Sequence, residues 1–404
     1  MLINNWTVRT YIFVLFLSIP CFTFSQNNKN ISPKDTLSNT LYNDLKVKAL
    51  GDSIQSAIGN YDTKKYLSYF SEKEFNKLVK NQTEKEATNK AFYKGMLSGM
   101  SEAFKNIPNK IISELKDNGY YDFVNYRYDD IEQTYYILFR LYTNAGLNYH
   151  DYRVKKNKKT KAYEFVDIYV YLTGEAFSDT LSRLMNFALI GYEADNKNTV
   201  AKQDFINLER AIKANQLGDS KRAYNMMNKI KSDISKDKFF LILKSLMAVN
   251  INEEIYLKSL EELLEYHGND PTVYLNKIDY YLLKNMNYEA IECVEKLKKI
   301  TEDDFLNYSK ANIAYLDKNY QVALDNYKYI VDNYDGFFEA QSSYLAVLCI
   351  LEHNDEAISY LNSLIKEYDK DELITYLEEV DENGENVFKN FIKTNSYKNW
   401  KTSK

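Results

Sequence analysis

Between Asn319 and Val331 the apolar residues Tyr320, Ala323, Leu324, Tyr327, Ile330 and Val331 fall at i, i+3, i+4, i+7, i+10 and i+11. That spacing is one face of a helix. Ala323 is a small residue in a stripe of otherwise large ones. Ala290 stands 33 residues before it, in NYEAIECVEKL, and Ala357 stands 34 after it, in NDEAISYLNSL. Leu257 lies 33 before Ala290, and Ala223 lies 34 before Leu257. Five helical segments therefore recur at intervals of 34, 33, 33 and 34 residues. Such a period predicts a stack of antiparallel helix pairs, with a small side chain where the second helix crosses the first. Four residues further on a larger group fills the space: Met227, Glu261, Val294, Tyr327 and Leu361. Leu257 and Glu261 break both halves of this rule, so the second repeat is irregular and admits a shift of register to Ser259.

Upstream, the pattern is helical from Leu37 to about Asn118. It predicts one helix ending near Tyr61, two short ones in DTKKYLSYFSEKEFNKLVKN, a longer one ending in MSEAFKNI, and another in NKIISELKDN. Gly95 and Gly99 share a face of the longer helix, which predicts close packing against a neighbour. The period then changes to two. Residues 120–129, 134–143, 148–156 and 162–172 read as four strands joined by short turns, hence antiparallel neighbours. Val166, Ile168, Val170 and Leu172, with Ile137, Phe139 and Leu141, should face the helices. Phe165, Asp167, Tyr169 and Tyr171 should face away. A helix over residues 178–192, capped by Ser178, and a linker at 193–200 close this α+β part.

The order of elements over about 40–175 resembles the nuclear-transport-factor-2-like fold, in which helices pack into a curved sheet; cystatin-like variants share that order. The repeats over about 203–370 resemble the tetratricopeptide repeat. Ala211, Ser245 and Ala311 fit its small residue in the first helix, whereas Ile278 and Leu345 do not. Gly218-Asp219 fit its inter-helix turn, and Lys318-Asn319 fit it in part. Ala223, Ala290, Ala323 and Ala357 match its second-helix alanine. The terminal proline is replaced by Glu302, Asp335 and Asp369, and the early tryptophan is missing. A capping segment at 380–400, with Val387, Phe388, Phe391 and Ile392, would cover the last repeat. The expected organisation is a signal peptide at 1–25, a flexible segment at 26–36, an α+β domain at 37–195, five degenerate repeats at 196–370 and capping helices at 371–404.

Composition sharpens this picture. The chain has 404 residues, 45% of them apolar, with only 12 Gly and 4 Pro, which suits long regular elements. Its 37 Tyr suit half-buried surfaces. A net charge of −5, thinly spread, argues against a nucleic-acid partner. The basic run Arg153 to Lys161 reads as a solvated turn. At the N-terminus a 14-residue apolar run follows Arg9 and ends in TFSQ. It is too short to span a membrane and predicts cleavage after Ser25, leaving an exported chain without an integral span. The competing reading is a lipoprotein acylated at Cys21. Cys293 and Cys349 fall in non-adjacent repeats and are expected to be buried thiols.

Chemistry is sparse. His150, His267 and His353 have no companion ligand at metal spacing, and phosphate-loop and nucleophile-elbow motifs are missing. His267 and His353 read as turn residues. One constellation stands out: with the two hairpins centred near Ala145 and on KNKKTK, Arg140, His150 and Asp167 would form a row across three strands, beside Tyr136, Tyr152, Phe165, Tyr169 and Tyr171. It is either a ligand site in which Asp167 raises the His150 pKa or a cross-strand charge ladder, and a slip of one residue would dissolve it. These features point to an exported, non-enzymatic scaffold, periplasmic or secreted, that holds a peptide or protein partner and needs no cofactor. The repeat resemblance implies that Asp279, Tyr308, Asn312, Tyr315 and Ser342 line its concave face. The alternative places a ligand pocket or an enzyme in the α+β domain.

Overall fold

Five helices precede the sheet: α1 (Leu41–Gly59), α2 (Thr63–Ser68), α3 (Glu72–Asn81), α4 (Lys90–Lys105) and α5 (Ile107–Lys116). Caps set their starts. The side chains of Thr40 and Asp62 accept the Asn43 and Lys65 N–H groups that open α1 and α2. The computed structural model describes residues 36–81, 90–116, 119–144, 146–193, 199–380 and 384–403. The expected signal peptide, its cleavage after Ser25, the alternative acyl site Cys21, the segment 26–35 and linker residues 194–198 lie outside the described residues. The chain divides between Leu283 and Lys284 into two compact units; the boundary expected at 195/196 falls inside the larger.

In the larger unit an antiparallel sheet runs in order β1 (Tyr120–Asp129), β2 (Thr134–Thr143), β3 (Gly146–Lys156), β4 (Tyr163–Val170) and β5 (Glu175–Ala176). The first two strands have the expected bounds. β5 was not expected: it is a two-residue strand that turns back on β4 and leads into α6 (Phe177–Glu193). One sheet face packs on α1–α5. Val47, Ile54, Phe75, Phe104, Ile137, Phe139, Ile168 and Val170 share that core. At Gly51 α1 comes so close to β1 that a Cβ would lie 2.9 Å from the Phe123 ring. Gly95, expected at a tight contact, has open space around its Cα. The turn after β3 is solvated as expected, with residues 158–162 exposed.

The same unit continues into helical hairpins: α7 (Thr199–Gln216) with α8 (Ser220–Met227), α9 (Lys238–Ala248) with α10 (Glu253–His267), and then α11 (Tyr274–Leu283). Two cations fasten them to the sheet. Arg183 on α6 reaches Glu175 of β5 at 2.5 Å and also pairs with Asp237, the N-cap of α9. Lys238 Nζ donates to the Gly174 carbonyl at 3.0 Å, to Asp270 at 2.9 Å and to the Thr272 hydroxyl at 2.8 Å. Gly174 has φ +65°, and a Cβ there would lie 2.8 Å from Thr272 Oγ1. The β4–β5 turn is therefore closed to other residues by conformation and by contact.

The smaller unit holds α12 (Asn287–Thr301), the hairpins α13 (Leu306–Leu316) with α14 (Tyr320–Asn333) and α15 (Phe338–Ile350) with α16 (Asn354–Leu364), then α17 (Lys370–Glu378) and α18 (Asn395–Thr402). Ala223, Ala290, Ala323 and Ala357 are fully buried, as are Val294, Tyr327 and Leu361 four residues after the last three. In the irregular repeat Leu257 is half-buried and Glu261 exposed, whereas Ser259 and Leu263 are buried. The crossing there thus shifts by two residues, and small-then-large order is kept. Ser259 can replace alanine because its hydroxyl donates to the Ile255 carbonyl at 2.9 Å. Cys293 and Cys349 are buried free thiols. At the end of the chain Phe388, Phe391, Tyr397 and Trp400 are buried while Val387 is exposed, and Trp400 Nε1 donates to Asn362 of α16 at 3.0 Å.

Ala323→Leu should destabilise the smaller unit by about 1–3 kcal/mol through overpacking. The exposed change Asp325→Ala should cost less than about 0.5 kcal/mol. Urea melts compare them, and equal midpoints would place Ala323 away from a helix crossing. Arg183→Met should cost the larger unit about 2 kcal/mol, because Glu175, already pushed up to about 7 by burial, loses its cation. The matched control is Lys328→Met, whose exposed pair with Asp332 should contribute less than about 0.5 kcal/mol.

Candidate functional site

The face of the sheet that meets the helices carries polar groups as well as rings. Tyr66 Oη on α2 lies 2.8 Å from Tyr152 Oη on β3, which lies 2.8 Å from Tyr121 Oη on β1. Tyr121 Oη lies 3.2 Å from His150 Nδ1. Asn148 stands 3.4 Å from His150 Nε2, and its Oδ1 accepts the Leu172 N–H at 2.9 Å. All five side chains are buried. Burial lowers the His150 pKa to about 3 and raises the three phenols well above their usual range. The chain is therefore a run of neutral donors and acceptors at ordinary pH. Rings pack tightly around it: Phe70 stacks on Phe104 at 3.9 Å, and Phe165 lies 5.0 Å from Tyr152 and 5.3 Å from Tyr66. Among the described residues, aromatic side chains thus pack between sheet and helices.

The expected row of Arg140, His150 and Asp167 does not form. Thr143 pairs with Gly146, which puts Arg140 opposite Tyr149 and His150 opposite Phe139. That is a slip of one residue from the assumed turn, and it sends Arg140 and His150 to opposite faces. His150 faces the helices. On β4 the pairing passes from Asp167↔Arg153 to Phe165↔Val154, leaving Val166 as the extra residue of a bulge. The bulge turns Phe165 toward the helices, against expectation, and Tyr152 lies on that side too. Asp167 instead serves the start of α6. It accepts the Ser178 N–H at 3.1 Å and the Ser178 hydroxyl at 2.5 Å. Burial pushes its carboxyl up to about 7 against those donors. Burial moves the His150 pKa down, where the row would have raised it.

The outer face carries ion pairs that differ from the expected row. Arg127 pairs with Asp151 at 2.7 Å and lies over the Tyr136 ring at 4.5 Å. Arg153 pairs with Glu132 at 3.0 Å, and Arg140 with Asp122 at 2.7 Å. Tyr171 packs between Tyr149 and Tyr169 at 5.5 and 5.4 Å. Burial raises the Asp151 carboxyl to about 6, opposed by the Arg127 charge.

Among the residues expected on a concave helical surface, Asn312 is buried and accepts the Tyr327 hydroxyl at 2.6 Å. Tyr308 is buried against Phe305, Phe337 and Tyr327. Ser342 is buried and donates to the Glu339 carbonyl at 3.0 Å. Tyr315 is half-exposed, its ring 5.6 Å from Tyr320. Asp279 belongs to the larger unit, is half-buried, and accepts the Tyr256 hydroxyl at 2.6 Å; burial raises its pKa to about 6. Three of the five are therefore committed to packing. His267 bonds the Lys236 carbonyl at 2.8 Å, and His353 precedes α16.

Sequence reasoning missed the fasteners Arg183 and Lys238, whose partners are distant in the chain. It also missed a cleft of about 290 Å³ bounded by Met227, Phe240 and Glu262. No sequence signal marked the cleft, because Ala223, Met227, Ile230 and Ile234 keep helical spacing past the end of α8. Among the described residues, no three His, Cys, Asp or Glu side chains gather as a metal site, and no helix is long and apolar enough to cross a membrane. Comparison with family models finds no match, and neither curated proteins nor solved structures show a similar chain.

The buried His150 has a consequence for acid stability. As pH falls below 6.5 the unfolded chain protonates this imidazole, while the folded chain resists until about 3. Stability should therefore be lost across that window at about 1.4 kcal/mol per pH unit from this group. The difference in slope between the parent and His150→Gln, taken from urea melts at pH 6 down to 4, isolates it. Identical slopes would mean that the folded imidazole takes its proton normally.

Proposed function

We propose that the protein is an exported, non-enzymatic scaffold whose helical hairpins, similar in plan to tetratricopeptide repeats, hold a peptide or protein partner. The α+β part, of nuclear-transport-factor-2-like plan, would then act as a rigid base. The observation that carries this reading is the recurrence of half-exposed tyrosines at helix seams of the smaller unit. Tyr315 meets Tyr320 between α13 and α14. The half-exposed Tyr360 meets the buried Tyr344 at 4.9 Å between α15 and α16. Phe338 on α15 meets Tyr368 and Tyr376 at 5.4 and 5.5 Å. Tyrosine suits such contacts because it offers a rigid ring and a hydroxyl at low entropic cost.

The test is selection of a random peptide library on purified residues 26–404, followed by fluorescence anisotropy with the recovered peptides. Saturable binding that Tyr315→Ala and Tyr360→Ala each weaken about tenfold is expected, with Lys159→Ala unchanged. Failure to recover any saturable binder, or indifference of all binders to both tyrosine changes, would overturn the proposal.

A further inference from the structure

The first turns of α1 are apolar on two sides. Inward, Val47 and Leu50 join the core. Outward, Leu41, Tyr42 and Leu45 are 74%, 60% and 61% exposed. At i, i+1 and i+4 they form one stripe, and the exposed Lys46 and Lys48 flank it. Exposed apolar residues scattered singly are ordinary. Three contiguous ones with a cationic border are the pattern of a helix that lies on a lipid surface.

The stripe adjoins the basic β3–β4 turn, which the partner-holding role leaves unused. Lys156 lies 5.7 Å from the centre of the Tyr42 ring and 5.1 Å from that of Tyr163. Lys46 lies 5.7 Å from the same Tyr42 ring. The Tyr163 hydroxyl donates to Asn43 of α1, so helix and turn present one surface. Residues 41–52 and 156–164 hold six lysines against three carboxylates, a local excess of positive charge in a chain of net charge −5. The carboxylates are engaged within the protein. Asp44 accepts the Tyr135 hydroxyl at 2.7 Å, Glu164 accepts the Asn157 amide at 2.8 Å, and Asp52 pairs with Lys48 at 3.3 Å. The route of the chain adds a second argument. Leu37 is buried, and its N–H donates to the Gln133 carbonyl at 2.8 Å, which fixes the chain just before the stripe. The N-terminal apolar run ends at Phe24, 13 residues before Leu37. A chain held in a membrane through that run keeps the stripe within about 45 Å of the bilayer.

We propose that this face docks on an anionic phospholipid surface, with Leu41, Tyr42 and Leu45 entering the interface and the lysines meeting the headgroup phosphates. This goes beyond the partner-holding role and rests on the larger unit alone, so the outcome of the peptide selection does not bear on it. The test is co-sedimentation of residues 26–404, which lack the apolar run, with phosphatidylcholine vesicles that do or do not contain one-third phosphatidylglycerol. Binding to the anionic vesicles alone is expected, weaker at about 0.5 M salt than at about 0.1 M. Lys46→Gln and Lys156→Gln should each weaken it about fivefold. Leu41→Ser combined with Leu45→Ser should weaken it about tenfold. Both leucines and Lys46 are exposed, so these changes leave the fold in place, and circular dichroism checks that they do. Lys328→Gln, an exposed change of the same charge in the smaller unit, should bind as the parent does. The proposal is overturned if the parent does not sediment with anionic vesicles, if it binds neutral vesicles equally, or if Lys328→Gln weakens binding as much as Lys46→Gln. It is also overturned if the double leucine variant binds as the parent does, which would reduce the face to a charged patch suited to an acidic protein.

Discussion

The larger unit depends on two cations at the end of the sheet. Arg183 and Lys238 bind β5, the β4–β5 turn, the start of α9 and the loop before α11 into one polar joint. Each removes charges or carbonyls from water and compensates them with partners of opposite sign. The result is that the first helical hairpins share a unit with the sheet, although their sequence pattern belongs with the repeats that follow. A joint of this kind fixes geometry more than it adds stability. Any loosening would leave Glu175 buried beside no cation, so the joint is either made in full or strongly disfavoured.

Behind that joint, aromatic side chains pack between the sheet and the helices of the α+β part. Phe70, Phe104, Phe139, Tyr152 and Phe165 belong to this core, and the polar groups among them bond one another in a line from Tyr66 to Asn148. A histidine in such a line is held neutral by its surroundings. It contributes shape and hydrogen bonding, and the charge that makes histidine a catalyst elsewhere is suppressed.

Strand existence was legible because alternation is local: residues 120–129 and 134–143 announce themselves by period alone. Register was not legible, because it depends on which residues close the turn and on a bulge at Val166 that alternation conceals. One such residue moved His150 from an imagined outer row to the interior. The helices of the second half were legible for the opposite reason. Small residues are forced at crossings, so Ala223, Ala290, Ala323 and Ala357 mark them at a distance, and even the shift to Ser259 follows from the exposed Glu261. Side chains in the helices were less readable as site residues. Asn312 and Ser342 look like surface polar groups in sequence, yet they are consumed by neighbours that lie 15 residues away in one case and within the same helix turn in the other.

The two hairpin ends of the sheet also differ in what they permit. The β3–β4 turn spreads residues 158–162 into solvent, and the Asn157 side chain accepts the Lys159 and Thr160 N–H groups within it. The β4–β5 turn has Gly174 pressed on Thr272, with Lys238 on its carbonyl. Added length is absorbed by the first and transmitted by the second. Chain length can therefore vary at the basic turn while the sheet keeps its place, and a graft, label or tether set there would ride on a fixed frame. A single residue added at 174 would instead have to move a strand, a loop and a helix together.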